Sequence, residues 1–251
     1  MDITGNTIFI PGATSGIGLA LARALRDKGN TVVVGGRRTE LLGELAAEGF
    51  GTVRIDTADA ASIEQASKDV LRRHPDLNVL VTMAGIMRAE DWTRPDDFLA
   101  TAETVVTTNV LGPIRLIAAF IEHLQAQPDP TIVTVSSGLG FIPLKVTPSY
   151  NASKAAIHML SESIRLQYDK VRVVELVPPS VQTDLMPGQR DNERALPLDD
   201  FVAEVMTLLE TRPDADEILV ERVKFLREAV HRGDYDHVVT VLNATDPHAN
   251  K

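Results

Sequence analysis

A tyrosine and a lysine, Tyr150 and Lys154, stand four residues apart in the segment from Ser149 to Gln167. On a helix, side chains at this spacing are neighbours on one face. A nearby ammonium favours the ionised phenol, so a helical Tyr150 beside Lys154 is expected to have a pKa below its ordinary value of about 10 and to exchange a proton more readily. Taken alone, the pair equally describes a partly exposed tyrosine beside a solvated lysine.

A second element favours chemistry over surface residues. Ser136 and Ser137 follow the β-branched run Thr131 to Val135, which indicates a strand that leads into the helix. A hydroxyl at the carboxyl end of a strand and a Tyr-Lys pair on the next helix can converge on one point.

Three glycines near the N-terminus indicate a phosphate-binding loop. Gly12, Gly16 and Gly18 lie between a first strand and an amphipathic helix. Glycine lets the backbone approach a pyrophosphate closely, and the free N–H groups at a helix start favour an anion. The spacing G-x-x-x-G-x-G differs from the common dinucleotide pattern. A structural turn is the alternative, but the position between strand and helix favours a nucleotide.

The end of the second strand bears on which nucleotide binds. Enzymes that prefer NAD often place an acidic residue here to hold the ribose hydroxyl, whereas an arginine accommodates the extra phosphate of NADP. Gly36 stands in the acid's place, and Arg37 and Arg38 follow. With the glycine loop beside them, the two arginines favour NADP(H) over solvated surface charge.

These residues need a scaffold, and the chain alternates short β-branched runs with longer segments of helical period. Several runs are almost continuously apolar, as in strands covered on both faces by helices. The pattern predicts an α/β fold with a doubly wound, mostly parallel sheet. The predicted strands are Thr7 to Ile10, Thr31 to Val34, Thr52 to Ile55, Val79 to Val81, Thr131 to Val135 and Val171 to Val177, with a final strand and helix in Glu217 to Asp234.

The length of 251 residues and the 44% hydrophobic content predict one domain over residues 1–251. The irregular segment 179–197 is rich in proline and charge. It leaves the carboxyl end of a strand, where ligands bind in such sheets, so we expect a substrate lid rather than a solvated excursion.

Composition limits the partners and the compartment. A net charge of −10 disfavours nucleic acid and anionic membranes as partners, and the absence of cysteine fits a reducing compartment. No signal peptide is recognisable, and the longest apolar runs, such as Ile114 to Ile121, are short for a bilayer span. The six histidines form no metal-binding motif. We expect a cytoplasmic protein without a metal site.

In chain order, these motifs resemble the short-chain dehydrogenase/reductase family over nearly the whole sequence. The resemblance implies a single Rossmann-type domain with a sheet of about seven strands and helices on both faces. The residues that carry it are Gly12-Ala-Thr-Ser-Gly16-Ile-Gly18, Asp56, Ala84-Gly85, Asn109, Ser137, Tyr150-Asn-Ala-Ser-Lys154, Pro178 and Thr183.

The resemblance also implies catalytic roles. Tyr150 would give or take the proton while hydride moves between the substrate carbon and the nicotinamide, and Lys154 would assist it and bind the nicotinamide ribose. Ser137, thirteen residues before Tyr150, is the family's serine rather than Ser136, and would polarise the carbonyl oxygen. Asn109 would hold a water that relays the proton.

For the cofactor, the resemblance implies that Asp56 accepts from the adenine amino group and that Thr183 holds the carboxamide end. Arg37 would meet the ribose phosphate of NADP(H), with Arg38 in support. The full set of expected cofactor contacts is Gly12, Thr14, Ser15, Gly16, Ile17, Gly18, Arg37, Arg38, Asp56, Thr57, Ala84, Gly85, Tyr150, Lys154, Pro178, Val181 and Thr183.

The chain departs from the family pattern at four positions. Pro11 replaces a threonine, and Thr82 and Met83 replace two asparagines after the fourth strand. We expect a repacked junction between the first and fourth strands and an effect on adenosine binding. Pro179 replaces a glycine and should stiffen the start of the lid.

The expected function is reversible NADPH-dependent reduction of a ketone or aldehyde. An NADP(H)-binding regulatory or scaffold protein without turnover is the alternative. Helices near Asn109 to Leu124 and Ser149 to Gln167 are apolar on more than one face, as expected if they also pack on a partner subunit, and the resemblance implies a homodimer or homotetramer. The residues expected around an apolar substrate are Met87, Trp92, Phe141, Leu144, Leu185 and Met186.

Overall fold

The computed structural model of the chain describes residues 2–245. Its strands form one parallel seven-stranded sheet in the order β3-β2-β1-β4-β5-β6-β7. The predicted doubly wound α/β fold is confirmed. The strands are β1 Thr7–Pro11, β2 Thr31–Gly36, β3 Gly51–Arg54, β4 Val79–Thr82, β5 Thr131–Val135, β6 Arg172–Leu176 and β7 Glu217–Ile218.

Helices connect the strands and cover both faces of the sheet. A π-helical turn, Thr107–Leu111, joins α4 to α5, and a short 3-10 helix, Gly138–Gly140, follows β5. The α-helices are α1 Gly16–Asp27, α2 Thr39–Ala47, α3 Ala60–Arg73, α4 Pro95–Val106, α5 Gly112–Gln125, α6 Pro148–Arg165, α7 Leu198–Thr211, α8 Glu221–Arg227, α9 Ala229–Arg232 and α10 Tyr235–Thr245.

Alternate residues of each central strand enter two separate cores. In β1, Ile8 and Ile10 join the core shared with α1 and α7, while Phe9 joins the core beneath α3 and α5. The rings of Phe9 and Phe120 lie 5.4 Å apart between centroids. Burial on both faces explains why these strands are apolar at every position rather than at every second one.

The observed elements differ from the predicted ones mainly at their ends. β6 is one residue shorter at each end than Val171 to Val177. The final strand comprises two residues that pair with β6, and the helical segment after it is divided into α8 and α9. The last of the histidines, His248, lies outside the described residues.

One helical stretch bears on the predicted lack of a membrane segment. The helix from Phe98 to Gln125 is 28 residues long and is apolar enough, by length and composition, to cross a bilayer. It is longer than the apolar runs in the sequence suggested, because the π-helical turn joins α4 and α5. Leu116, Phe120 and Leu124 are buried against the sheet, as in the core helix of a globular protein.

Candidate active site

A cleft of about 580 Å³ opens at the carboxyl ends of the parallel strands. It lies over β1 and β4, where the strand order reverses direction across the sheet. Ligands of open α/β sheets bind at such a switch point. The loop after β1, the ends of β2 to β5, the start of α6 and the segment after β6 all contribute residues to it.

The glycine loop forms a backbone cradle at one end of this cleft. Gly12 has a φ of +89°, and a Cβ built on it would lie 2.6 Å from the Ala84 Cα. A Cβ on Gly18 would lie 2.9 Å from the Gly12 oxygen. The Ser15 side chain makes no capping hydrogen bond to α1, so it does not occupy the first backbone N–H groups of that helix. This cradle fits a pyrophosphate.

The two arginines after β2 line the cleft but have different surroundings. The Arg38 guanidinium donates to Thr14 Oγ1 at 2.8 Å and to Ser15 Oγ at 2.9 Å, which ties it to the glycine loop. Arg37 is exposed and lines the same cleft. A Cβ on Gly36 would lie 2.5 Å from Thr14 Cγ2, so a side chain at that position would require Thr14 to move.

The predicted adenosine contacts also lie at the cleft. Asp56, Thr57, Ala84 and Gly85 all line it. Asp56 Oδ1 accepts the Ala58 backbone N–H at 3.0 Å, so one carboxylate oxygen stabilises the turn after β3. Its position in the cleft is compatible with the predicted role toward adenine as well.

The segment after β6 lines the opposite side of the cleft. Pro178 O accepts the Gly138 N–H at 3.0 Å, and the Thr183 methyl lies 3.6 Å from the position of a Cβ on Gly16. Val181 pairs with Leu196 as an isolated bridge, which closes the segment 179–197 into a loop. Val181 also lines the cleft.

Ser137, Tyr150 and Lys154 converge on the floor of the cleft. Ser137 Oγ accepts the Leu139 N–H at 3.2 Å, and the Ser137 hydroxyl favours the ionised form of the Tyr150 phenol. Lys154 Nζ lies 5.6 Å from the centre of the Tyr150 ring and donates to the Val135 oxygen at 2.7 Å. The helix start places the tyrosine and the lysine on one face, as their spacing predicts.

Burial dominates the protonation of this pair. It raises the pKa of Tyr150 to about 12, against the opposing effect of the Ser137 hydroxyl. It also lowers the pKa of Lys154 to about 8, against the attraction of Glu175. The expected lowering of the Tyr150 pKa is therefore wrong for this structure, because desolvation is the dominant effect on the phenol. Tyr150 holds its proton at neutral pH.

Asn109 lies in the π-helical turn and is buried. Its amide accepts the Ile86 N–H at 2.9 Å and donates to the Ile86 oxygen at 2.9 Å and to Ser153 Oγ at 3.1 Å. The side chain thus braces the loop after β4 against α6. The predicted role in holding a water stays a prediction.

The unusual residues of the β1–β4 junction, Pro11, Thr82 and Met83, each make different contacts. A Cβ on Gly18 would lie 2.9 Å from Met83 Cγ, so the methionine covers the glycine loop from the sheet side. Thr82 Oγ1 reaches the Val133 oxygen at only 3.5 Å. Pro11 continues β1 and pairs with Gly35.

Four of the six predicted substrate contacts surround the tyrosine. Met87, Leu144 and Met186 form a buried cluster with Tyr150, and Leu185 packs against it. The other two do not. Trp92 is 53% exposed and stacks on Phe98, and Phe141 contacts His158 and Arg227 instead.

A polar group behind the site was not among the residues predicted from the sequence. Glu175 is fully buried in β6, where it contacts Ser136 and His158. The sequence feature that could have indicated this group is the one carboxylate, Glu175, within the mostly apolar predicted strand Val171 to Val177. Among the described residues, His158, Glu175 and Glu217 could also hold a metal ion. The Arg227 guanidinium already pairs with Glu217, at 2.9 Å, so we assign no metal there.

Comparisons with known proteins agree with this geometry. Residues 6–194 match the family model described as short chain dehydrogenase. A protein of Bacillus subtilis (strain 168), named uncharacterized oxidoreductase DltE, is 36% identical over 98% of this chain and 100% of its own length.

Solved structures share the fold. An alcohol dehydrogenase from the archaeon Thermococcus sibiricus, complexed with 5-hydroxy-NADP, has a TM-score of 0.77 at 26% identity over 86% of this chain and 95% of that one. A short chain dehydrogenase from Burkholderia cenocepacia J2315, complexed with NADP, has a TM-score of 0.80 at 23% identity over 98% of this chain and 100% of that one. Other chains of this fold are complexed with NADP or with NAD.

Proposed function

The chain belongs to the short chain dehydrogenase family of NAD(P)-dependent oxidoreductases, and we propose that it reduces a ketone or an aldehyde to an alcohol with NADPH, reversibly. The observation that carries the proposal is the meeting of Ser137, Tyr150 and Lys154 in the cleft beside the glycine loop. A hydroxyl, a phenol and an ammonium at one point suit proton transfer to a carbonyl oxygen.

In the proposed reaction, NADPH supplies a hydride to the carbonyl carbon when it is bound. The Ser137 hydroxyl orients the carbonyl oxygen. Tyr150 then gives its proton to that oxygen as negative charge develops there, which completes the alcohol. The phenolate left on Tyr150 is stabilised by the Lys154 ammonium until a proton from solvent replaces the one transferred.

The protonation states support the reductive direction. A pKa raised to about 12 keeps the proton on Tyr150 until the substrate needs it. The lysine, with a pKa of about 8, is mostly an ammonium at pH 7. The site therefore combines a proton donor with a cation that favours the donor's conjugate base.

The preference for NADPH is supported by the surroundings of the second strand. Gly36 places no acidic side chain at the end of β2, and Arg37 and Arg38 line the cleft there. A 2′-phosphate would lie near two guanidinium groups and no carboxylate from that position. The remaining expected cofactor contacts line the same cleft.

The test is turnover with a matched pair of variants. Purified protein with NADPH and a panel of ketones and aldehydes should consume NADPH, followed by its absorbance. Tyr150→Phe should lower kcat by about 10²-fold or more, the scale of a lost proton donor, while NADPH affinity is retained. Tyr168→Phe removes a phenol outside the cleft and should leave kcat unchanged. Equal activity of Tyr150→Phe and wild type would remove Tyr150 from the mechanism.

A regulatory or scaffold protein that binds NADP(H) without turnover is the second candidate. The altered junction at Pro11, Thr82 and Met83 favours it, because these residues change the support of the adenosine side. NADPH binding with no hydride transfer to any carbonyl of the panel, or from any matching alcohol, would support this second function.

We also propose the organisation in which the enzyme works. Residues 1–251 act as one domain, and 179–197 acts as a lid over the substrate. The protein works in the cytoplasm as a homodimer or homotetramer. Its partners are small carbonyl and alcohol substrates, and neither nucleic acid nor a membrane is required.

A further inference from the structure

A polar layer is buried between the sheet and α6, directly behind the catalytic residues. Its centre is Glu175 of β6, which is fully buried. The Ser136 hydroxyl donates a hydrogen bond to Glu175 Oε1, and His158 Nδ1 lies 2.9 Å from Glu175 Oε2. A buried carboxyl group without partners would be strongly unfavourable, so these two partners stabilise Glu175 in the interior.

This layer is connected to the active site at both ends. Ser136 lines the cleft itself. His158 stands one helical turn after Lys154 on α6, and Lys154 Nζ donates to the oxygen of Val135, the residue before Ser136. The Glu175 side chain is therefore held between Ser136, which follows the residue that accepts from Lys154, and His158, which lies one turn after Lys154 on α6.

We propose that Glu175 is a positioning residue of the active site: its buried carboxylate, held by Ser136 and His158, is the counter-charge that keeps Lys154 an ammonium. This role rests on the proposed reaction, in which the Lys154 charge stabilises the Tyr150 phenolate. A buried lysine loses its proton easily, and an opposite charge in the same low-dielectric layer counteracts that loss.

Other charges around Glu175 leave it available for this role. Glu217 of β7 is neutralised by Arg227, whose guanidinium makes bonds of 2.9 Å and 3.1 Å to its carboxylate. Glu162 is half exposed and lies 3.6 Å from His158 Nε2. The ionisable groups facing this layer are Lys154, His158 and Glu162 of α6, Glu175 of β6, Glu217 of β7 and Arg227 of α8.

The protonation preferences agree with the geometry. Burial lowers the pKa of Lys154, and Glu175 opposes that effect. The hydrogen bond to Glu175 raises the pKa of His158 above its ordinary value, despite partial burial. One carboxylate thus favours the charged form of two bases on the same helix.

The test titrates Lys154 directly in the full chain. In protein carrying ¹³C-labelled lysine, the Lys154 side-chain resonance, assigned with Lys154→Arg, is followed against pH with and without NADPH. Glu175→Gln keeps the shape and the acceptor for Ser136 but removes the charge. Its Lys154 midpoint should fall by about 1 pH unit, the scale of losing a nearby opposite charge. Glu162→Gln removes a charge from the same helix and should leave the midpoint unchanged.

The titration needs no turnover, so it separates this role from the proposed reaction. An unchanged Lys154 midpoint in Glu175→Gln overturns the role of Glu175 even if the protein reduces carbonyls. If Glu175→Gln does not fold, the ¹³C-labelled carboxyl of Glu175 in wild type decides, with Glu175→Asp used for assignment. A carboxylate signal while Lys154 titrates supports the proposal, and a neutral carboxyl overturns it. With turnover established, the high-pH limb of kcat should move down with the midpoint.

Discussion

At the scale of single residues, the site is governed by burial. Tyr150 and Lys154 are both almost fully buried, and each is shifted towards its neutral form. Desolvation penalises the phenolate and the ammonium separately, and the effects of Ser137 on Tyr150 and of Glu175 on Lys154 offset only part of that cost. The Lys154 ammonium is therefore less favourable in the folded protein than in the unfolded chain.

The free-energy cost of burying the Lys154 ammonium predicts how the stability of the protein changes with pH. The pKa of Lys154 falls from 10.5 to about 8 on folding. Between these values the unfolded chain binds the proton and the folded chain does not, so wild type should gain stability as pH rises from 8 to 10.5. Lys154→Met lacks this gain, and the difference should reach about 3 kcal/mol, at about 1.4 kcal/mol for each pKa unit.

Urea denaturation at a series of pH values measures the gain. Lys170→Met, at an exposed lysine, provides the control and should follow wild type. Parallel stability curves for wild type and Lys154→Met would show that the lysine is charged equally in both states.

The arginines give a second residue-scale prediction. Arg38→Ala should weaken NADPH binding by about 10-fold or more, because a guanidinium–phosphate contact and the tie to Thr14 and Ser15 are both lost. NADH affinity should change less. Calorimetric Kd values for both nucleotides measure this, with Arg37→Ala as the second member of the pair and Arg54→Ala, at the end of β3, as control. Equal losses for NADPH and NADH would contradict phosphate recognition.

At the scale of elements, the site depends on close backbone contact between loops. The loop after β1 and the loop after β4 touch at Gly12 and Ala84, where no side chain fits. The π-helical turn, in turn, places Asn109 so that its amide holds Ile86 in that second loop. Irregular helical turns of this kind are frequent at functional sites. The cradle is thus shaped by three elements together.

Two glycine substitutions test this contact. Gly12→Ala should destabilise the protein and reduce NADPH affinity at least about 10-fold, because the residue has a φ of +89° and its Cβ would meet the Ala84 backbone. Gly43→Ala, in the middle of α2 with open space around it, should instead stabilise the protein by about 0.5–1 kcal/mol. Melting temperatures and NADPH Kd values give both answers. A Gly12→Ala protein that binds NADPH normally would contradict the close approach.

At the scale of the whole molecule, the parallel sheet brings distant segments to one edge, and it also leaves apolar helix surface uncovered. Val106, Leu111 and Ile114 are exposed along the long helix, and Met159 is 59% exposed on α6. Such clustered exposure is typical of a surface that meets another protein. It agrees with the proposed homo-oligomer.

Two substitutions, one on the exposed apolar surface and one elsewhere, test whether the chain forms a homo-oligomer. Ile114→Glu places a charge on the exposed apolar stripe and should lower the molar mass in solution towards that of the 27.3 kDa chain. Phe225→Glu, on α8 away from these two helices, should leave the mass unchanged. Light scattering during size-exclusion chromatography measures both. A wild-type protein that is already monomeric would contradict the assembly.

The fold class and most of the candidate site could be predicted from the sequence, because the motifs that indicate them are short and continuous in the chain. The glycine spacing, the Tyr-Lys pair one turn apart and the valine-rich strands each depend on residues within a few positions of one another. The placement of Ser137 near Tyr150 follows once parallel strands are assumed, since the carboxyl ends of the strands meet at one edge. The cleft accordingly contains the predicted serine, tyrosine, lysine and glycines.

Burial and long-range contacts were decided only by the tertiary structure. No local pattern shows that Tyr150 and Lys154 are desolvated enough to reverse the expected pKa shift, that Arg38 rather than Arg37 is tied to the glycine loop, or that Phe141 packs on Arg227 instead of joining the cluster around Tyr150. The Glu175 layer joins residues up to 39 positions apart. The physical reason is that desolvation and hydrogen-bond partners depend on which side chains surround a group, and those come from elements far apart in the chain.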